Sequence, residues 1–247
     1  NKLLQGGQSL RVIDADIGQA DMGPPTTITC AAPTQPIASL QEMPPERRLF
    51  IGDISPSGVE RKLISGIGRL STKNEKLLTI INTDGWVADL NAIPYKINLL
   101  GAVGPNLVLG LAYSNELEPI LDGVRFPSMR IEASKDALKR SRVDRRSVRV
   151  DAYRRFLEGA VKRRVSLEKV QLSFPSRYPP VSRLDRRALS NLIVGILDDE
   201  DYLAEIGILM DVEHEAAVIY SRRNEAFHKI EVGCVRLSTS GEEIGFL

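Results

Sequence analysis

The chain of 247 residues predicts an α/β fold, a parallel sheet with flanking helices, followed by a small β-rich C-terminal domain. Three features carry this expectation. Strand-like and helix-like patterns alternate through the first half of the chain. The first strand, in RVIDADIGQADMGPPTT at 11–27, ends in two carboxylates and passes into a Gly and Pro loop. Beyond the turn-rich FPSRYPP at 174–180, the texture changes to short β runs.

The elements follow in order. NKLLQGGQS reads as a helix stopped by Gly6 and Gly7, and it leads into a strand at Leu10–Ile13. Residue 1 is Asn within a helix already under way, so the N-terminus is expected to be truncated. Further strands are expected at Leu77–Ile81, Leu107–Leu111 and Met129–Ile131. Helices are expected at Gly58–Leu70, after the turn SPSG, and at Tyr95–Val103, after Pro94, each crossing over between parallel strands. Ser134–Glu158 reads as a charged helix or helix pair with a thin apolar stripe. NLIVGIL, AEIGILMDV, AAVIYS and KIEVGCVRL then suggest a small antiparallel barrel or sandwich. Gly195, Gly207 and Gly233 inside those runs mark bulges, bends or close backbone approach. The boundaries read as 1–165 and 166–247.

Composition narrows the function class. The 43% hydrophobic content supports a real core. No apolar run approaches the roughly 20 residues that span a bilayer, and no signal segment opens the chain, so no membrane partner and a cytoplasmic location are expected. Cys30 and Cys234 lack C-x-x-C spacing and read as buried residues; His214 and His228 are isolated. The net charge of +1 conceals a basic segment at 130–164, with thirteen Lys and Arg against five Asp and Glu. An anionic partner is implied.

Side chains alternate along a strand, so Asp14 and Asp16 are expected to point the same way at its C-terminal end, where open α/β sheets bind ligands. Two such carboxylates suggest a cation; a solvated turn is the plain alternative. DADIGQ fits the magnesium-holding strand end of phosphate-loop enzymes. Their Gly-rich loop, G-x-x-x-x-G-K-[ST], does not occur in these residues, and it is expected upstream of Asn1. The chain alone is then expected to be inactive. Thr83 and Trp86 follow the strand LLTII, also on the ligand side, and Trp86 reads equally as a base-stacking platform or a core anchor.

DADIGQADMGPPTT, FIGDISPSG at 50–58, INTDGWV at 81–87, and SKDALKR followed by an Arg-rich helix occur in an order that resembles the polynucleotide 5′-hydroxyl kinase family. That family includes the RNA kinase subunit of the pre-mRNA cleavage machinery and archaeal relatives. The resemblance covers about residues 1–165 and implies a P-loop NTPase sheet, ATP as phosphate donor, Mg²⁺, and RNA or DNA 5′-hydroxyl ends as substrate, with RNA-processing proteins as partners. It also implies roles for particular residues. Asp16 matches the magnesium-associated carboxylate and Asp14 the acidic position before it, either one taking the hydroxyl proton. Gln19 is expected near the transferred phosphoryl group, with loop capping as the alternative. ADMGPPTT is expected to hold substrate phosphates on backbone amides and on Thr26 or Thr27, or else to be a purely structural turn. Arg142, Arg145, Arg146 and Arg149 match a mobile lid that closes over phosphates, the first, the third or second, and the last sharing one helical face. Asp53, Ser55 and Pro56 read as a structural turn. The competing readings are a nucleotide-switch ATPase or GTPase and a non-catalytic RNA-binding scaffold. No N-K-x-D supports guanine binding: TKNE at 72–75 does not fit.

Overall fold

The computed structural model describes residues 1–71, 77–137, 140–175, 186–223 and 225–247. TKNE and most of FPSRYPP therefore lie outside the described residues, as do two positions in the run 134–158.

Helix α1 (Lys2–Gln5) ends at Gly6 and Gly7, the latter with φ 79°, and the chain enters β1 (Leu10–Ala15). All four expected strands of the first half form. β4 (Leu78–Thr83) lies parallel to β1, with Asp14 opposite Asn82 and Ala15 opposite Thr83. β5 (Val108–Ala112) pairs in parallel with β6 (Ser128–Glu132) as a separate two-stranded sheet, and the short α4 (Glu118–Leu121) connects them.

Two antiparallel strands join the parallel pair. β2 (Thr27–Ala31) and β3 (Arg47–Phe50) add antiparallel strands to the outer side of β1, giving the order β3-β2-β1-β4. The connections into β2 and β3 contain no helix long enough to bring the chain back for a parallel crossover, so each strand returns beside its predecessor. β2 is buried along its whole length.

α2 (Glu60–Leu70) covers this sheet through Leu63, Gly66, Ile67 and Leu70, a single stripe at helical spacing. Gly66 is needed there: a Cβ would stand 3.0 Å from Ile28 Cδ1. α3 (Ala92–Val103) begins three residues earlier than expected. Asp89 Oδ1 accepts from the backbone N–H groups of Asn91 and Ala92, and Pro94 sits in the first turn, where its missing N–H costs nothing. It ends at Gly104, left-handed at φ 62°, whose N–H returns to Leu100 O.

α5 (Arg142–Leu157) starts at a capping box, in which Ser141 and Asp144 satisfy each other's backbone N–H. It buries Val150, Ala152, Tyr153 and Leu157, the thin stripe expected. β7 (Val161–Ser166) follows. The boundary expected after residue 165 falls inside this strand, which pairs with the second sheet.

That sheet contains β8 (Gln171–Ser173), then, after the short α6 (Arg186–Leu189), β9 (Leu192–Leu197), β10 (Leu203–Val212), β11 (Ala216–Ser221), β12 (Lys229–Leu237) and β13 (Glu243–Phe246). The path runs β13-β12-β9-β10-β11-β7, with β8 beside β12. All four expected runs are strands. The sheet is not a separate globule. Phe50, at the end of β3, enters its core beside Tyr153, Leu157 and Ile193. Gly195 lies under the Phe50 ring, and a Cβ there would meet Cγ at 2.4 Å; Gly233 lies against Gly52, and the Cys234 N–H donates to Gly52 O at 2.7 Å. Close backbone approach is the reason for Gly233, and the Phe50 ring is the reason for Gly195.

Candidate functional site

The C-terminal ends of β1 and β4 form one edge, and the loops leaving them carry the acidic residues. β1 ends at Ala15, so Asp16 has already left the strand and the alternation that would have aligned it with Asp14 is lost. The two carboxylates do different work. Asp14 is 1% exposed, and its oxygens accept from Asn82 Nδ2 at 3.1 Å, Asp21 N at 2.6 Å and Met22 N at 3.1 Å. It ties the following loop to β4 and is walled off from ligand.

Asp16 is half-buried. Its Oδ1 accepts from the N–H groups of Gly18 and Gln19 at 3.1 and 2.9 Å, while Oδ2 takes no hydrogen bond among the described residues. Burial raises the proton affinity of this carboxyl, the two N–H groups oppose that, and the negative charges of Asp84 and Asp14 add to the rise. A cation beside Oδ2 would relieve that unfavourable charge. One free carboxylate oxygen suits Mg²⁺, which takes one or two protein carboxylates and fills its shell with water and phosphate oxygens. Among the described residues there is no cluster of three His, Cys, Asp or Glu side chains able to cage a metal alone. The second carboxylate expected for the pair is not available.

Gly18 lies so close to Ile54 O that a Cβ would stand 2.6 Å from it, which packs the Gly18–Gln19 turn on the loop after β3. That loop is held by Asp53, whose Oδ1 accepts from Ile54 N at 2.7 Å and Ser55 N at 3.0 Å, a structural turn as expected. Gln19 reaches the arginine-rich segment. Its Nε2 donates to Arg145 O at 3.3 Å, and Arg140 Nη1 donates to its Oε1 at 3.4 Å. The N-terminal end of α5 is thereby held beside Asp16. Arg140 also lies close enough to Asp21 to counter the rise that burial causes in that carboxyl.

The four arginines expected to act together are divided. Arg142 and Arg145 stand exposed at the start of α5, where the Arg145 carbonyl meets Gln19. Arg149 is instead engaged with Glu243 in β13, and Arg146 donates to Glu243 O at 2.5 Å. That face of α5 docks on the second sheet, because a nearly buried carboxylate there draws the guanidinium groups toward it. Thr26 and Thr27 are both fully buried. Thr27 Oγ1 donates to Pro24 O at 2.7 Å, and Thr26, at φ 75°, accepts from Ile51 and Gly52 through its carbonyl. ADMGPPTT forms the turn that leads into β2.

Beyond β4, Thr83 Oγ1 accepts from Lys96 Nζ at 3.1 Å. Lys96 is buried and pairs with the Asp84 carboxylate at 3.1 Å, and the Tyr95 hydroxyl donates to the same carboxylate at 2.8 Å. Burial lowers the proton affinity of Lys96, and Asp84 opposes that fall. Trp86 N donates to Asp84 Oδ1 at 3.0 Å, and the indole tilts against the Tyr95 ring at 5.7 Å between centroids. Trp86 is half-buried against the first core, so it is anchored on one side while part of its surface remains open. Sequence reasoning missed Lys96, Tyr95 and Arg140. A lysine inside the apolar run IPYKINLL was the available signal for the first two. His214 and His228 lie outside the site, paired with Glu215 and Asp199, and Cys30 and Cys234 are buried free thiols. Among the described residues, no helix is long and apolar enough to cross a membrane.

Comparison with known proteins agrees with this geometry. The family model described as mRNA cleavage and polyadenylation factor CLP1 P-loop matches residues 1–159. A polyribonucleotide 5′-hydroxyl-kinase of Pyrococcus furiosus is 27% identical over all of this chain and 84% of its own length. One of Methanocaldococcus jannaschii is 24% identical over all of this chain and, again, 84% of its own. Among solved structures, Clp1p in the wild-type Clp1p–Pcf11p complex superposes with a TM-score of 0.64 at 11% identity, covering 93% of this chain and 67% of that one, a likeness of fold. With its family matched through β1, the acidic loop and the arginine-rich helix, this chain belongs to the CLP1 P-loop family.

Proposed function

We infer that this chain is the core of an RNA 5′-hydroxyl kinase, which transfers the γ-phosphate of ATP to the 5′-hydroxyl end of a polynucleotide. Phosphoryl transfer asks little covalent chemistry of a protein and depends on holding the reactants and countering spread negative charge. The observation that carries the reading is the juxtaposition of Asp16, with one free carboxylate oxygen, and Gln19, whose amide meets the basic segment at Arg140 and Arg145. Similarity along the whole of this chain, and 84% of theirs, to proteins named polyribonucleotide 5′-hydroxyl-kinases supports the same reaction.

We assign the roles to these residues in turn. Asp16 is the residue to hold Mg²⁺, which when bound neutralises phosphate charge. It is also the residue to which we assign the hydroxyl proton. Gln19 orients the phosphoryl acceptor without adding charge and anchors the lid. Arg140, Arg142 and Arg145 provide cations at the phosphates. Trp86 and Thr83 flank the same edge, Trp86 offering its open surface to a base. The solved neighbour is bound to Pcf11p, and a protein partner from RNA processing fits this chain as well.

The test is transfer of labelled γ-phosphate from ATP to a 5′-hydroxyl RNA by the full-length gene product. Labelling should require Mg²⁺, cease on chelation and be abolished by Asp16→Asn. Labelling retained in that variant would remove Asp16 from the reaction, and no labelling by the unaltered protein would remove the kinase assignment.

A further inference from the structure

α5 links two places on the molecule. Its first turn meets Gln19 at the site described above. Its last turn borders an open cleft of about 420 Å³, where Arg154, Arg155, Tyr220, Thr239 and Ser240 converge. The helix rises about 1.5 Å per residue, so Arg155 lies roughly 15 Å along the axis from Arg145. That is the reach of a few nucleotides of extended single strand.

We infer that this cleft binds the RNA chain a few nucleotides downstream of its phosphorylated end. The inference rests on the RNA-kinase reading, and its chemistry is that of a single-strand site, cations beside an aromatic ring. Arg155 is exposed and donates to the neutral amide of Gln41 at 3.0 Å, a partner that leaves its charge uncancelled. Arg154 is anchored by Asp151, Glu242 and Ser240 O and defines the wall. Lys162 stands directly opposite Tyr220 in the β7–β11 pair and therefore on the same face of the sheet, with its charge exposed. Tyr220 is half-buried, rooted in the second core. Thr239 and Ser240 bring hydroxyl groups suited to phosphate and ribose oxygens. Glu158 borders the cleft as its one acidic lining residue and directs the strand toward the Arg155 side. Stacking and backbone contacts of this kind read no sequence, which suits an enzyme that accepts many ends.

The experiment measures the kinase reaction of the full-length protein on a 5′-hydroxyl dinucleotide and on a decanucleotide. The dinucleotide is too short to reach the cleft. In the unaltered protein the decanucleotide should have the lower KM. Arg155→Ala with Lys162→Ala should raise the decanucleotide KM by at least about fivefold, toward the dinucleotide value, and leave kcat and KM for the dinucleotide unchanged. The slope of log affinity against log salt should become shallower by about 0.7 for every RNA phosphate that no longer meets a cation. Both positions are on the surface, so folding is not at stake; Tyr220→Ala adds a check on stacking once its fold is verified by circular dichroism. An unchanged decanucleotide KM and salt slope would overturn the inference and leave the cleft to a protein ligand. Anisotropy of a labelled decanucleotide without ATP reads the cleft independently of chemistry. Failure of the kinase reading, with no phosphate transfer, is thus distinguished from failure of this one, with RNA binding undiminished in the variant.

Discussion

Arg149 and Glu243 form a two-pronged ion pair, Nε to Oε1 at 2.5 Å and Nη2 to Oε2 at 2.9 Å, which pins the middle of α5 to β13. Both side chains are nearly buried, at 12% and 4% exposed. Glu243→Ala would leave the mostly buried Arg149 guanidinium without its carboxylate partner. Breaking such a pair by removing one partner costs about 3 to 5 kcal/mol. Urea unfolding should report a loss near the lower end of that range, since Arg149 keeps some access to solvent. Replacing both residues with apolar ones should cost clearly less, and an equal loss in single and double variants would show that the pairing itself matters little.

The buried ion pair of Lys96 and Asp84 makes a second case. Lys96→Met removes the cation and leaves Asp84 buried with only the Tyr95 hydroxyl and the Trp86 N–H. The expected loss is again about 3 to 5 kcal/mol. Because Trp86 is the only Trp in the chain, its emission reports the loop directly and should shift in this variant. An unshifted spectrum would mean that the indole is held by its core contacts alone.

Gly195 has no room for a side chain. A Cβ would lie 2.4 Å from Phe50 Cγ and 2.7 Å from its Cβ, so Gly195→Ala must displace the ring that joins the first sheet to the second. Overpacking of this kind costs about 1 to 3 kcal/mol. Phe50→Leu in the same chain should recover part of it, as read by thermal unfolding.

The start of α5 should respond to acid. Hydrogen bonds from Ser141, side chain and backbone, hold the Asp144 carboxyl below its ordinary value. A carboxyl depressed in the folded state adds stability that is complete above its unfolded value, about 3.9, and is lost as pH falls through the folded one. The protection of the first-turn amides of α5, taken relative to their intrinsic exchange rate at each pH, should therefore fall below about pH 4. In Asp144→Asn the turn should exchange faster at neutral pH and lose that acid response; an unchanged acid response would assign it to another group.

Much of this architecture is written in local patterns. The β-branched and apolar runs at 10–13, 77–81 and 192–197 read as strands and form them, and the stripe Leu63, Ile67, Leu70 reads as one side of a helix and is buried as one. The order of DADIGQ, INTDGWV and the arginine run was sufficient to place the family: the first two sit where β1 and β4 end, and the third is the body of α5. Alternation along β1 did not fix the aim of Asp16, since the strand stops one residue before it. Only the folded chain decided that Asn82 and the loop at 21–22 consume Asp14, that Glu243 draws Arg146 and Arg149 away from Gln19, and that Lys96 meets Asp84. These are contacts between residues distant in the chain. A carboxylate has the same sequence signature whether its partner is a metal, a backbone N–H or a guanidinium, and packing alone chooses among them.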